Sequence, residues 1–421
     1  MIQKCLSPRV LTLGALLAAI SVPSPSVAHA ARSVVHGSAP VGQSAHSQTT
    51  LATSAAPTSP AAIVTGPSEV VYDYATSACA SDDVPDLPVR GLRSPSGQVS
   101  LMMPNWTNRE LTGPSFDDLS HPCSVTSASA YNADPSAFAD RQWVASPYTT
   151  DGTHLFALVH DEYQGSTHPG ECPSGVYQQC WYNALTLATS SNGGATWSAP
   201  AGRLVAAVPY KYVPDGGPEG YMEPSNIVRS PTDRYYYATF LAMAEGAQAR
   251  GTCVMRTSNL ADPTSWRAWN GRSFSVSFID PYTSTASPAT HVCQPLPYAD
   301  VGEMTQSLTY STFFNKFMLV GESQAPGPDG ALVSGVYFSL SSDMVHWTTR
   351  QLLLPTQFPW DYTCPAASAL SYPSIIDPSS SSPTFQTVGQ TAYLYLTRFN
   401  YLGCDMTWDR DLVRYPVTFT H

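Results

Sequence analysis

The sequence predicts an all-β fold, a five-bladed β-propeller whose blades are four-stranded antiparallel sheets. Three observations predict it. Helix signals are scarce: no segment holds a 3.6-residue apolar period for four turns, and 37 prolines interrupt the chain. Short apolar runs rich in Val, Leu, Tyr and Phe each follow a polar turn and an earlier extended run, which makes five strand–turn–strand units. A turn-and-tryptophan pattern also recurs at blade-length intervals, at Trp197, Trp266 and Trp347.

Taken in order, residues 1–30 read as a secretory signal peptide. Lys4 and Arg9 precede an apolar run, and Ala28-His29-Ala30 fits a cleavage site. The apolar run is too short to span a bilayer comfortably. Residues 31–66 are rich in Ala, Ser, Thr and Pro with almost no charge. Such a stretch cannot bury enough apolar surface to offset its ordering entropy, so it reads as a disordered tether. Residues 67–421 form a single β-propeller domain. Its units open with extended runs at 86–92, 140–145, 223–228, 303–308 and 371–376, and their partners run over 98–103, 154–159, 235–240, 317–320 and 392–396. The last unit lacks a fourth strand, and residues 69–74 can supply it and close the ring. Closure removes the sheet edges an open stack exposes. A six-bladed ring and a β-sandwich are the competing architectures.

The repeated turn is clearest at 189–197, Thr-Ser-Ser-Asn-Gly-Gly-Ala-Thr-Trp, looser at 339–347 and looser again from Arg256 to Trp266. Asn or Asp bonds nearby backbone, Gly accepts a left-handed conformation, and Trp packs beneath the hairpin. The pattern resembles the Asp-box turn of sialidases and related carbohydrate-active propellers.

Of the nine cysteines, Cys5 lies in the signal. The remaining even number in an exported chain suggests disulfides. Eight cysteines allow about 105 pairings. Neighbour pairing predicts Cys79–Cys123, Cys172–Cys180, Cys253–Cys293 and Cys364–Cys404. The net charge of −11 argues against nucleic acid or an anionic membrane surface as partner. No segment outside the signal is apolar enough for membrane insertion. Low charge (12%) with 23 Tyr and 9 Trp suits neutral polar ligands such as carbohydrates, although most of these aromatics fill sheet cores. The expectation is a secreted monomer, extracellular or at the cell surface.

In a propeller the first strand of every blade lines the central channel. Acids stand at four of the five strand starts: Asp86, Asp140, Glu223 and Glu303, while the fifth offers Ser371 and Tyr372. Glycoside hydrolysis needs two carboxyls across a glycosidic bond, one as acid and one as base or nucleophile. A third can raise the acid's pKa by like-charge repulsion. Read singly, each is a strand-end carboxylate bonding backbone amides; the set of four points to a site.

Asp86-Leu87-Pro88, the acid at 140 and Glu223-Pro224-Ser225 resemble the layout of the five-bladed furanosidase superfamily, which includes arabinanases, β-xylosidases, invertases and levansucrases. The resemblance implies Asp86 as base or nucleophile, Asp140 as modulator and Glu223 as general acid. Asp140-Arg141-Gln142-Trp143 departs from the usual tripeptide, so Asp161 is an alternative modulator, and Glu303 is a rival acid. The implied function is a secreted glycoside hydrolase acting on a furanoside or xyloside linkage; the alternative is a non-catalytic carbohydrate- or protein-binding propeller of sialidase-like lectin type. Arg90, Trp143, Trp181, Tyr182, Asn226 and Tyr372 are the candidate ligand-binding residues. Arg90 shares a strand face with Asp86 and either clamps a ligand or pairs with that acid. A sialidase arginine triad from Arg90, Arg229 and Arg398 is disfavoured, because Pro88-Val89-Arg90 is not the sialidase start. The segment from Tyr163 to Asn183 reads as a disulfide-pinned flap carrying Trp181 and Tyr182. No cofactor is required. His160, Asp161, Glu162 and His168 offer a structural calcium site, and the metal content is otherwise unknown.

Overall fold

The computed structural model describes residues 60–421; the signal at 1–30 and the tether up to residue 59 lie outside the described residues. The strand Ala61–Val64 falls where the tether was expected to run on to residue 66, so ordered chain begins earlier than composition suggested.

Strands dominate, arranged in four hydrogen-bonded sheets that hold five modules. Module one comprises Arg90–Arg93, Val99–Met103, Thr107–Ser115 and Asp118–Ser120. Module two comprises Arg141–Tyr148, Leu155–Gln164, Trp181–Ser190 and Leu204–Ala206. Module three opens with two short pieces, Glu219–Met222 and Val228–Arg229, and continues through Tyr236–Ala242, Gly251–Thr257, Arg267–Trp269 and Phe274–Ser277. It shares a sheet with module two because Tyr182 and Asn183 pair in parallel with Glu219 and Gly220. Module four is Ser307–Ser311, Lys316–Pro326, Leu332–Ser341 and Gln351–Pro355; module five is Ser368–Ile376, Thr391–Leu402 and Asp405–Thr420. Glu69–Tyr72 and Ala61–Val64 both add antiparallel to that last strand, so the N-terminal part of the fold completes the C-terminal sheet.

The ring is visible in how the modules join. Each junction has its own apolar cluster: Leu92 and Met102 meet Val144 between one and two; Tyr182 and Leu185 meet Phe240 between two and three; Val228 and Val254 meet Leu319 between three and four; Val320 and Phe338 meet Leu394 between four and five; and Leu101 and Val89 meet Tyr395 between five and one. Sheets with both faces buried read as continuous apolar runs rather than alternation. Leu155–Gln164 is buried at nearly every position for this reason.

Each junction also has a polar link near the axis. Val144 N–H donates to Asn108 Oδ1 (3.2 Å), Ser146 Oγ to Ser225 O (2.6 Å), Leu308 N–H to Asn226 Oδ1 (2.8 Å), Ile375 N–H to Ser307 Oγ (3.0 Å) and Thr397 Oγ1 to Pro85 O (3.2 Å). Arg90 is 4% exposed and touches all the other modules. It donates to Ala145 O (3.0 Å), Pro224 O (3.5 Å), Gln306 O (2.7 Å) and Ser374 Oγ (3.4 Å). Only a residue on the axis of a radial arrangement can reach all of these.

The tryptophan turns occupy equivalent places, between the third and fourth strands of modules two, three and four. Asn192 Oδ1 accepts from Thr196 N–H (3.0 Å), Asn259 Oδ1 from Ala261 N–H (3.1 Å) and Asp343 Oδ1 from His346 N–H (2.8 Å). Gly193 and Gly194 take φ of 74° and 94°, which a side chain would oppose. Trp197, Trp266 and Trp347 are buried beneath. Disulfides join Cys79 to Cys123, Cys172 to Cys180, Cys253 to Cys293 and Cys364 to Cys404. Among the described residues no helix is long and apolar enough to cross a membrane.

Candidate active site

Asp86 lies just ahead of the inner strand of module one, held by its backbone N–H on Pro104 O (3.0 Å). Its carboxylate forms a close ion pair with Arg410 from the last strand of module five. That guanidinium lies over the Phe399 ring (4.5 Å) and beside Trp408 (5.1 Å), which hold it in place.

Glu223 sits in the break between the two opening pieces of module three, with a left-handed φ of 51°. A non-glycine residue there is strained. Gln306 Nε2 donates to its Oε2 (3.1 Å). Burial pushes the Glu223 pKa up to about 7, with Glu303 and Asp86 adding like-charge repulsion against the Gln306 hydrogen bond.

Two further acids join them, both on second strands. Glu162, on Leu155–Gln164, accepts from Gln164 Nε2 (2.8 Å). Burial raises its pKa to about 8, and Asp86 and Glu223 contribute. Glu322, on Lys316–Pro326, accepts from Ser371 Oγ (2.7 Å) and Tyr372 N–H (2.6 Å). Burial raises it to about 8 as well, with Glu223 the largest charge acting on it. Tyr372, itself at φ 58°, completes the cluster: burial raises its hydroxyl, and Asp86, Glu223 and Glu322 all act in the same direction. The site thus has one carboxylate with a fixed countercharge and three acids whose protonated form burial favours.

The other candidates fall elsewhere. Asp140 does not join the cluster: its Oδ2 accepts from Gln164 N–H (2.9 Å) and pairs with His168 Nε2 (2.8 Å), which anchors the module-two flap. Asp161 points to the opposite strand face from Glu162 and is buried near Asp140. Glu303 is on the rim, gripped by Arg250 Nε and Nη2 (2.5 and 2.8 Å). Arg90 is the axial hub and touches neither ligand space nor Asp86. Tyr182 is a core residue donating to Tyr210 O (3.0 Å), and Asn226 is the link to module four. Trp143 is buried against Leu87, Ala145 and Tyr372, so it backs the site from below. Trp181 and Tyr372 do face it. Of the residues offered for calcium, His160 Nε2 meets Asn183 Oδ1 (2.9 Å) with Glu162 Oε1 at 3.7 Å, and His168 meets Asp140.

A cavity of about 510 Å³ opens from Glu223 and Glu322 outward over modules three and four, between Trp181 on the flap and Trp360 on the opposite loop. The flap is tied in by the Cys172–Cys180 disulfide and by Gln164 Nε2 donating to Tyr177 Oη (3.0 Å).

No family model matches the chain, and no curated protein matches it. Solved structures with a similar course of chain include a protein of unknown function from Dyadobacter fermentans (7% identity, 84% of this chain and 99% of that one, TM-score 0.46). They also include the α-L-arabinanase of Cellvibrio cellulosa (12% identity, 75% and 88% covered, TM-score 0.41) and an endo-arabinase from Bacteroides thetaiotaomicron (10% identity, 80% and 96%, TM-score 0.40).

Proposed function

We propose that this chain is a secreted glycoside hydrolase that cleaves a furanoside or xyloside linkage with Glu223 as general acid and Asp86 as base or nucleophile. The observation that carries it is the contrast between these two acids in one site. Asp86 has a guanidinium beside it, which suits an ion that must accept a proton or attack carbon. Glu223 is desolvated among other acids, which suits a group that must hold a proton near neutral pH. Pairs of titratable groups with opposed environments are the signature of acid/base assignment.

Glu223 gives its proton to the glycosidic oxygen as the C–O bond breaks. Asp86 takes a proton from the incoming water, or attacks the anomeric carbon and is released by water in a second step. Glu162 takes the modulator place that the resemblance implied for Asp140. Four disulfides support export through an oxidising compartment.

The test is product release from a panel of arabinans, xylans, fructans and sialosides, and from small glycosides of the same sugars. Turnover that disappears in both Asp86→Asn and Glu223→Gln supports the assignment. Glycan binding with no product under any condition assigns a lectin instead.

A further inference from the structure

The cavity beside Glu223 is built for an apolar group. Its floor is Pro218, Met222, Leu241, Met243 and Phe358, and Met222, Leu241 and Met243 form an apolar cluster of their own. Most of its polar neighbours are already engaged, the Trp181 indole N–H being without a partner. Arg250 is committed to Glu303. Gln306 donates to Glu223 and accepts from Thr305 and Glu322 N–H (3.1 Å each). Gln324 Nε2 donates to Ser334 Oγ (2.8 Å), and Glu322 holds Ser371 and Tyr372. Sugar hydroxyls placed here would lose water and find few partners, a net cost.

At the mouth stand two exposed rings, Trp360 (62%) and Tyr298 (61%). Trp360 is stacked on Phe358 (5.0 Å between centroids, 19° between planes). Phe358 N–H is held by Asp361 Oδ1 (2.6 Å), and the Cys364–Cys404 disulfide pins the loop just beyond. An indole held rigidly in water offers a face for a flat ligand at little entropic cost.

We propose that this cavity receives the leaving group, and that the leaving group is an aromatic alcohol rather than a second sugar. This rests on the reading of Glu223 as the acid, since the acid protonates the departing oxygen and therefore lies on the leaving-group side. Glu223 and Glu322 line the cavity, whereas Asp86 does not. The substrate class is then an aryl glycoside.

The test is calorimetric titration of the intact chain with 2-naphthol, with xylotriose and arabinotriose as comparison ligands. Saturable 1:1 binding of 2-naphthol, weakened about tenfold or more by Leu241→Asn and by Trp360→Ala, is expected. Trp360 is exposed, so its variant folds even if the Leu241 variant does not. The trioses are expected neither to displace the naphthol nor to lose affinity in Trp360→Ala. No saturable naphthol binding, naphthol affinity unchanged in Trp360→Ala, or displacement by the trioses overturns the proposal. The binding readout needs no turnover: if naphthol binds as expected while no glycoside is cleaved, the catalytic reading fails and the apolar cavity stands.

Discussion

Asp86 and Arg410 are 324 residues apart in sequence and form a close ion pair at the meeting of the first and last modules. Their side chains are only 17% and 13% exposed. Arg410→Met should therefore lower turnover and also strand the carboxylate, costing about 3 kcal/mol, the low end for breaking a buried pair. Asp86→Asn should cut turnover by roughly 10²–10⁴-fold and, because it leaves the Arg410 guanidinium without its carboxylate, should also lower the melting temperature. The double variant should be more stable than Arg410→Met alone, because no unpaired charge is left. A denaturation series on the four proteins checks this; an additive double variant sinks the pair as described.

The acids set a pH dependence whose sign is definite. Glu162, Glu223 and Glu322 have folded pKa values raised by burial to about 8, 7 and 8. Between their unfolded values near 4.5 and these folded ones, the native state holds more protons than the unfolded chain. Stability therefore falls as pH rises through that window. Glu110, Glu219 and Glu245, also raised by burial to about 7, 7 and 8, act in the same direction. The melting temperature should be higher at pH 5 than at pH 8, and turnover should decline as Glu223 ionises. A melting temperature that climbs from pH 5 to pH 8 would contradict the protonated state assigned to these groups.

Arg90 holds the axis together without a carboxylate partner. Arg90→Met should leave the Ala145 and Gln306 carbonyls without their donor, at about 1–3 kcal/mol each. Arg90→Lys should fare little better, since a point donor cannot spread over separated acceptors as a guanidinium does. Both variants should melt lower and less cooperatively in calorimetry. Retention of the parent transition in Arg90→Met would show that the modules close without the hub.

Closure depends on the strand that precedes module one in sequence. A chain starting at residue 74 lacks Glu69–Tyr72, the Glu69–Arg414 ion pair (2.7 Å) and the Tyr72 hydroxyl on Asp83 O (2.6 Å). It should expose the edge of Asp405–Thr420 and self-associate. Light scattering and melting should show larger species and a lower transition; an unchanged particle size and transition would mean that the ring does not need this strand.

Much of the architecture is legible in local chemistry. Asp151 in the turn before Leu155 accepts from Thr153 and His154 N–H (2.8 Å each), the bonding its position in a Thr-Asp-Gly turn predicts. Glu162 and Glu322 were legible in part. Both stand two or three residues past second-strand cores, after Val159 and Val320, and comparing the ends of those strands would have paired them. Asp86 and Glu223 stand at first-strand starts, but so do Asp140 and Glu303, which differ in partner rather than in type. His168 and Gln164 claim Asp140, and Arg250 claims Glu303, and neither claim is visible without coordinates.

What the sequence by itself determined is the strand content, the turns and the closing strand. All of these follow from contacts or spacings within a module or at the chain's ends. What only the tertiary structure decided is which acids share a site, that Arg90 is an axial hub and not a ligand clamp, and that Met222, Leu241 and Met243 make one side of the cavity apolar. Those facts depend on side chains from five modules meeting at one axis, and the distances across that axis are set by ring closure rather than by separation along the chain.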